Sequence, residues 1–264
     1  MEYVEGAPLT TYCDAHRLSI HDRLRLFRSV CEAVQYAHRN LVVHRDLKPS
    51  NILVIPASAG TGSPGQVKLL DFGIAKLLDP APAGLLDDAE RAALPATLTA
   101  LGGTLLTPEY AAPEQVRGEA VTTATDVYAL GVILFELLSG HRPYRVTGRS
   151  AIELERVICR EDAPAPSAMV RTAWAPPGAP EGAAPPITPE TVAAARHTQP
   201  ERLRRRLAGD LDTIVAMALR KEPERRYRSV DQLYEDVRRH LTGLPVTARK
   251  ETLTYVVAKF TRRH

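Results

Sequence analysis

Residues 44–51 spell His-Arg-Asp-Leu-Lys-Pro-Ser-Asn, and residues 71–73 spell Asp-Phe-Gly. No other feature constrains this chain as tightly. The first string carries a carboxylate (Asp46), an ammonium (Lys48) and an amide (Asn51). The second adds Asp71, followed by Gly73, whose missing side chain permits a sharp backbone turn after Phe72. A lone Asp or Asn is ordinarily a turn residue or a helix cap. An ordered set at this spacing is a chemical inventory.

That inventory matches the needs of phosphoryl transfer from ATP. A hydroxyl attacking phosphorus must be aimed and must shed its proton, and a carboxylate such as Asp46 does both. Lys48, two positions on, stabilises negative charge on the moving group. Asn51 and Asp71 offer the oxygen ligands that Mg²⁺ prefers, and ATP phosphates supply the rest.

The bulk numbers exclude other classes. The chain has 264 residues, 44% hydrophobic and 25% charged, the balance of an ordinary globular domain. A net charge of +3 is too small to argue for nucleic acid. Basic residues cluster near 202–206, 220–228 and 259–264, the first two expected as solvated helix faces. Three scattered cysteines, Cys13, Cys31 and Cys159, have no metal-ligand spacing and suit a reducing cytosol. No signal peptide is evident at the N-terminus. The most apolar stretch, 127–138, is too short to span a bilayer and contains Glu136, so it is expected as a buried core helix. The basic end, 255–264, would sit beside a membrane only if a span followed.

Apolar residues at helical spacing predict a helix over 21–38. Residues 41–43, 52–55 and 67–70 are short β-branched or aliphatic runs expected as strands, with Pro56–Gly65 as a lengthened hairpin loop. A long loop is expected over 79–107. Helical character returns at 123–139, 200–221 and 229–242. A Pro/Ala/Gly-rich stretch at about 163–190 is expected as a flexible insertion. Further signals lie in Thr107-Pro108-Glu109-Tyr110-Ala111-Ala112-Pro113-Glu114. Glu114, among apolar and proline residues, needs a buried cationic partner, and Arg226 is the candidate. Asp126 opens the most apolar helix as a candidate cap, and a second role, holding the backbone of the 44–46 loop, is compatible with capping.

With these residues in view, the chain resembles the C-terminal lobe of a eukaryotic-type protein kinase, with a bacterial serine/threonine flavour. The resemblance implies a mostly α fold, a kinase-like C-lobe with a short β-hairpin that lacks the β-rich N-lobe. It divides the chain into a hinge-like segment (1–6), the lobe (7–242) and a basic tail (243–264). Residues 44–51 resemble the catalytic loop, 71–73 the magnesium-binding triplet, and 71–114 the activation segment. The resemblance implies that Asp46 and Lys48 are catalytic and that Thr107 contacts both. Asn51 and Asp71 are implied metal ligands, and the backbones of Glu2 and Val4 implied adenine partners, with Met1 as gatekeeper and Leu53 beneath the ring. His44, Arg45, Phe72, Gly73, Glu114, Asp126 and Arg226 take structural or regulatory places, Arg45 as the partner of a phosphorylated activation loop. Thr97, Thr99 and Thr104 are candidate phosphosites. The implied cofactors are ATP and Mg²⁺, and the implied partners are proteins bearing Ser or Thr.

In that family the glycine-rich phosphate loop, a strand lysine and a helix glutamate all precede the hinge, whereas here the hinge-like segment is residues 1–6. Lys48 and Lys68 lie after it. Three readings stand: a serine/threonine kinase whose ATP roof comes from an upstream lobe or from dimerising, an inactive lobe that binds proteins, and a truncation remnant with no activity. The expected place is the cytoplasm, either free or as the cytosolic part of a membrane-anchored kinase.

Overall fold

The computed structural model describes residues 5–56, 64–71, 108–146, 150–174 and 186–249. The first described elements are strand β1 (Ala7–Pro8), helix α1 (Leu9–Ala15) and helix α2 (Ile20–Arg39). Ser19 caps α2 by accepting the Asp22 amide at 3.2 Å, the arrangement that satisfies an orphan N–H of the first turn. Leu24, Phe27, Val30, Cys31 and Val34 recur on one face and are fully buried.

The end of α2 corrects one expectation. Residues 41–43 form no strand. The Leu41 amide donates to His38 O and the Val42 amide to Ala37 O, both at 3.0 Å. These two bonds close the helix in a Schellman turn, so these amides serve the helix end. Leu41 takes the left-handed place usual for glycine, with φ 61 and 94% of its surface exposed.

Strands β2 (Ile52–Ile55) and β3 (Gln66–Leu69) pair antiparallel with Ile52 opposite Leu69. Beyond the expected hairpin, β1 pairs with β2 on its other edge, Pro8 opposite Leu53, so the sheet has three strands. Ile52 and Val54 point into the core, whereas Leu53 and Ile55 are half-buried on the other face.

After the four-residue helix α3 (Pro113–Val116) comes the central helix, α4 (Thr123–Ser139). It is buried almost all round, as its apolar composition dictates. Helices α5 (Ala151–Arg160), α6 (Pro166–Met169), α7 (Pro189–Ala195), α8 (Pro200–Leu207), α9 (Asp210–Ala218) and α10 (Val230–Leu241) follow in chain order. Gly131 is where α4 meets α9: a Cβ there would lie 2.8 Å from that of Ala218. No described helix is long and apolar enough to cross a membrane.

Two buried arginines close the C-terminal end of α4. Arg196, 3% exposed, donates through Nε to Leu138 O at 2.7 Å and through Nη2 to Glu136 O at 3.0 Å. Arg23 donates to Leu137 O at 3.5 Å. Cations on the last carbonyls answer both the unpaired acceptors and the negative end of the helix dipole. Burial lowers the Arg196 guanidinium to about 9, and the neighbouring Arg23 adds to the effect.

Two further boundaries differ from the sequence reading. Within 163–190, α6 is helical, Trp174 and Ile187 form an antiparallel bridge, and α7 begins at Pro189. Only 175–185 lie outside the described residues of that stretch. The packed unit also runs past residue 242. The Asp236 carboxylate accepts the Thr247 amide at 2.7 Å and the Ala248 amide at 2.8 Å, which seats the chain on α10.

Leu41 yields a test. A left-handed leucine costs about 1–2 kcal/mol, and an exposed side chain returns little of it. Leu41→Gly is therefore expected to stabilise the fold by about 0.5–1 kcal/mol after glycine's extra unfolded-state entropy. Urea denaturation of both proteins measures this, and an unchanged or lower midpoint would refute the reading of that turn.

Candidate active site

The site begins where α2 ends. From there the chain runs over the N-terminal turn of α4, and Asp126 receives it. The Asp126 carboxylate accepts the His44 amide at 2.8 Å and the Arg45 amide at 2.9 Å. His38, from the last turn of α2, lies 2.7 Å from the same carboxylate. Thr122, not Asp126, is the cap of α4, accepting the Ala124 amide at 3.3 Å. Of the two roles read from sequence, the carboxylate performs the second.

Arg45 sits at φ 68, a conformation rare for a non-glycine residue. Its amide is held by Asp126 and its carbonyl accepts Gln115 Nε2 at 2.8 Å. Both sides of the strained residue are thus tied to other elements, the condition under which such strain persists. No described residue pairs with its guanidinium.

Beyond Arg45 the polar groups converge. Lys48 Nζ lies 3.0 Å from Asp46 Oδ2. Asn51 Nδ2 donates to the Asp46 carbonyl at 2.9 Å and approaches its carboxylate at 3.3 Å. With its nitrogen so engaged, the Asn51 amide has its oxygen left as the atom for a hard cation. The next link is through backbone: Leu70 N donates to Asn51 O at 2.8 Å, which sets Asp71 beside this loop. His44 Nε2 donates to Leu70 O at 3.1 Å from the other side. Burial keeps the His44 ring below its ordinary pKa despite nearby Asp126, so the ring is neutral at pH 7. Asp71 is exposed and left-handed at φ 48.

The 108–114 segment is fixed to the core at two points. Tyr110 Oη donates to Glu136 Oε2 at 2.5 Å, and Arg142 lies over the Tyr110 ring while reaching Glu109 at 3.0 Å. Glu114, 2% exposed, forms a two-pronged pair with Arg226, each bond 2.7 Å. Thr125 donates to the same carboxylate at 2.8 Å. Arg226 also donates to the carbonyls of Ala124, Arg220 and Lys221, so all five of its N–H donors are used. Burial alone would raise the Glu114 carboxyl, but the bonds and charge of Arg226 outweigh it and hold the group below its ordinary range.

The structure therefore brings together Asp46, Lys48, Asn51, His44 and Asp126, with Asp71 tied in through Leu70, and separately joins Glu114 to Arg226. Leu53 is on the half-exposed sheet face. Glu2, Val4, Phe72, Gly73, Thr107 and the threonines at 97, 99 and 104 lie outside the described residues. His38 and Gln115 were missed by sequence reasoning. His38 falls inside a helical pattern 88 residues from its partner, and nothing local marks it. One Gly-x-Gly-x-x-Gly string does occur, Gly60–Gly65, but it belongs to the β2–β3 connection. There Tyr12 donates to Pro64 O at 2.8 Å, and a Cβ on Gly65 would meet Val54 at 2.5 Å. That string follows the 44–51 loop instead of preceding the hinge-like segment.

Residues 1–236 match the protein kinase domain family, and the chain belongs to it. Among its relatives is serine/threonine-protein kinase PknB of Mycobacterium tuberculosis, 31% identical over 95% of this chain and 31% of that protein. A probable serine/threonine-protein kinase of Streptomyces coelicolor is 31% identical over 94% of this chain and 29% of its own length. The chain thus spans about a third of these relatives. Among solved structures, the Mycobacterium tuberculosis PknI kinase domain superposes with a TM-score of 0.54 at 19% identity, over 91% of this chain and 65% of that one. The Rad53 kinase domain, solved with AMPPNP, gives 0.51 at 21% identity over 89% and 66%. The shared fold is kinase-like.

The buried pair gives the prediction. Arg226→Met leaves Glu114 charged and uncompensated and is expected to destabilise by about 3–5 kcal/mol. Because the folded Glu114 carboxyl titrates below its ordinary value of 4.5, the pair's contribution is complete above about pH 4.5. It is lost as pH falls through the lower, folded-state value. The stability gap between native protein and Glu114→Gln should therefore narrow in acid, and a gap constant from pH 7 to pH 3 would contradict it.

Proposed function

We propose that this chain carries the catalytic loop and substrate platform of a protein serine/threonine kinase, transferring the ATP γ-phosphoryl group to Ser or Thr hydroxyls of proteins. The observation that carries this reading is the hydrogen-bonded cluster of Asp46, Lys48 and Asn51, strung to Asp71 by the Leu70–Asn51 backbone bond. Membership of the kinase family and the named activity of its bacterial relatives support it.

In this mechanism Asp46 accepts the hydrogen bond of the substrate hydroxyl and takes its proton as the bond to phosphorus forms. Lys48, held against Asp46, faces the negative charge that develops on the transferring group. Asn51 and Asp71 would hold Mg²⁺ through one amide oxygen and one carboxylate. Two protein ligands suffice for an ion that keeps waters and phosphate oxygens in its shell. Held there, the metal would supply neutralisation of phosphate charge. Thr107 is proposed to bridge Asp46 and Lys48, and Arg45, whose guanidinium no described residue occupies, to receive a phosphorylated threonine of the 71–114 segment. The adenine contacts of Glu2, Val4 and Leu53 complete the proposed site.

The glycine-rich loop and strand lysine of the family have no counterpart among these residues. The roof over ATP is therefore proposed to come from sequence upstream of residue 1 or from a second protein.

The test is transfer of labelled phosphate from Mg·ATP to a Ser/Thr protein, with the chain assayed alone and joined to a kinase N-lobe. Asp46→Asn is expected to lower turnover by at least about 10²-fold with ATP affinity nearly unchanged. Turnover near the native value in that variant would remove Asp46 from its role. No transfer in either format, with the protein folded, would favour a lobe used for binding only.

A further inference from the structure

The basic cluster at 220–228 does not form the solvated helix face that its composition predicts. Residues 220–225 leave α9 and turn through a short 3₁₀ segment, Pro223–Arg225. There they close a cavity of about 440 Å³ against the end of α5 and the turn after α3. Its cationic lining is Arg117, Arg160, Arg220, Lys221 and Arg225. Only two carboxylates, Asp162 and Glu222, share it. None of these seven residues belongs to the cluster of Asp46, Lys48 and Asn51.

The walls of this cavity are built rather than loose. The backbone carbonyls of Arg220 and Lys221 each accept a bond from Arg226, at 2.7 and 2.8 Å. Lys221 Nζ is seated on Ile158 O at 2.6 Å and Tyr144 Oη at 2.7 Å, above the Tyr144 ring. Arg117 donates to Cys159 O at 3.3 Å.

The arginines of this lining are partly or largely solvent-exposed, and their carboxylate contacts are loose. Elsewhere buried arginines make short bonds, as Arg226 does to Glu114 at 2.7 Å. Here the carboxylate contacts are long: Arg117 to Glu119 at 3.9 Å, Arg160 to Glu155 at 3.8 Å, and Arg225 to Glu222 at 3.8 Å. Arg220 has no side-chain partner among the described residues. Burial holds the Lys221 ammonium down at about 8, and both atoms that anchor it are neutral.

Converging guanidinium groups with unused donors favour a group of concentrated negative charge and several acceptor oxygens, and a phosphate monoester has both. The volume lies within the range of ligand sites and exceeds what a free phosphate fills, leaving room for the side chain and backbone that carry it. One wall, Arg117, caps the C-terminal end of α3, directly after the 108–114 segment.

From this geometry we infer that the cleft between α3, α5 and residues 220–225 is a docking site for a phosphorylated Ser or Thr on a protein. The inference deepens the proposed function, and rests on it, in naming the substrate class as proteins already phosphorylated at another position. Binding itself needs no ATP, so the two can fail separately.

The experiment measures binding of a fluorescent Gly-Ala-phosphoserine-Ala-Gly peptide to the full 264-residue chain without ATP, beside the same peptide with serine and with inorganic phosphate as competitor. The phosphopeptide is expected to bind at least about tenfold tighter than the serine peptide. The double variant Arg220→Ala, Arg225→Ala should lose about tenfold, because bonds to a charged group are strong. Both side chains are exposed, so the fold is expected to survive. Asp162→Asn, which removes a repelling carboxylate, should tighten binding severalfold. Equal affinity for the two peptides, or an unchanged double variant, would overturn the site. Inorganic phosphate binding as tightly as the phosphopeptide would overturn the protein-borne source. A phosphopeptide that binds while the folded protein transfers no phosphate, alone or joined to a kinase N-lobe, would sink the kinase reading and leave the cleft standing.

Discussion

One carboxylate, Asp126, determines where the polar loop of this lobe lies. It sits in the first turn of the most deeply buried helix and accepts two consecutive backbone amides from the loop that carries Asp46. A bond to backbone fixes the course of the chain whatever the side chains are, so the loop inherits the rigidity of the core. His38 bears on the same carboxylate from α2, which ties the loop to the two longest described helices at once. The left-handed conformation at Arg45 follows from this: with its amide taken by Asp126 and its carbonyl by Gln115, the residue is held where its own torsions would not rest.

A second constraint operates at the other end of α4. Helices leave their last carbonyls unpaired, and a helix end inside a core cannot turn to water for partners. Arg23 and Arg196 meet that need by reaching the carbonyls of three successive residues from separate elements. A helix fixed at both ends makes a frame on which the 108–114 segment can be stapled, through Tyr110 to Glu136 and Glu114 to Arg226.

Much of this was legible in the sequence, for reasons that differ by element. The helix at 123–139 carries its own apolar composition, a threonine cap before it and Gly140 after it, and its limits coincide with the expectation. The chemical residues of 44–51 and 71–73 were legible because function demands particular groups at short spacing. What escaped were pairings made across distance. Nothing near Arg196 says that it closes a helix end 58 residues away, and nothing near His38 points to Asp126. The error at 41–43 has a local cause: Leu-Val-Val has the composition of a strand, yet the end of α2 needs those amides first. The tail boundary moved because Asp236, unremarkable in a helical pattern, accepts bonds from beyond the helix.

The spacing of the buried pairs also bears on how the chain becomes folded during synthesis. Glu114 precedes Arg226 by 112 residues, and Arg23 reaches Ala195 across 172. A nascent chain that has emerged only through α4 therefore exposes a glutamate with no counter-charge and a helix end lacking one of its two arginines. The helix end is complete only once Arg196 has emerged, and Glu114 is paired only once Arg226 has.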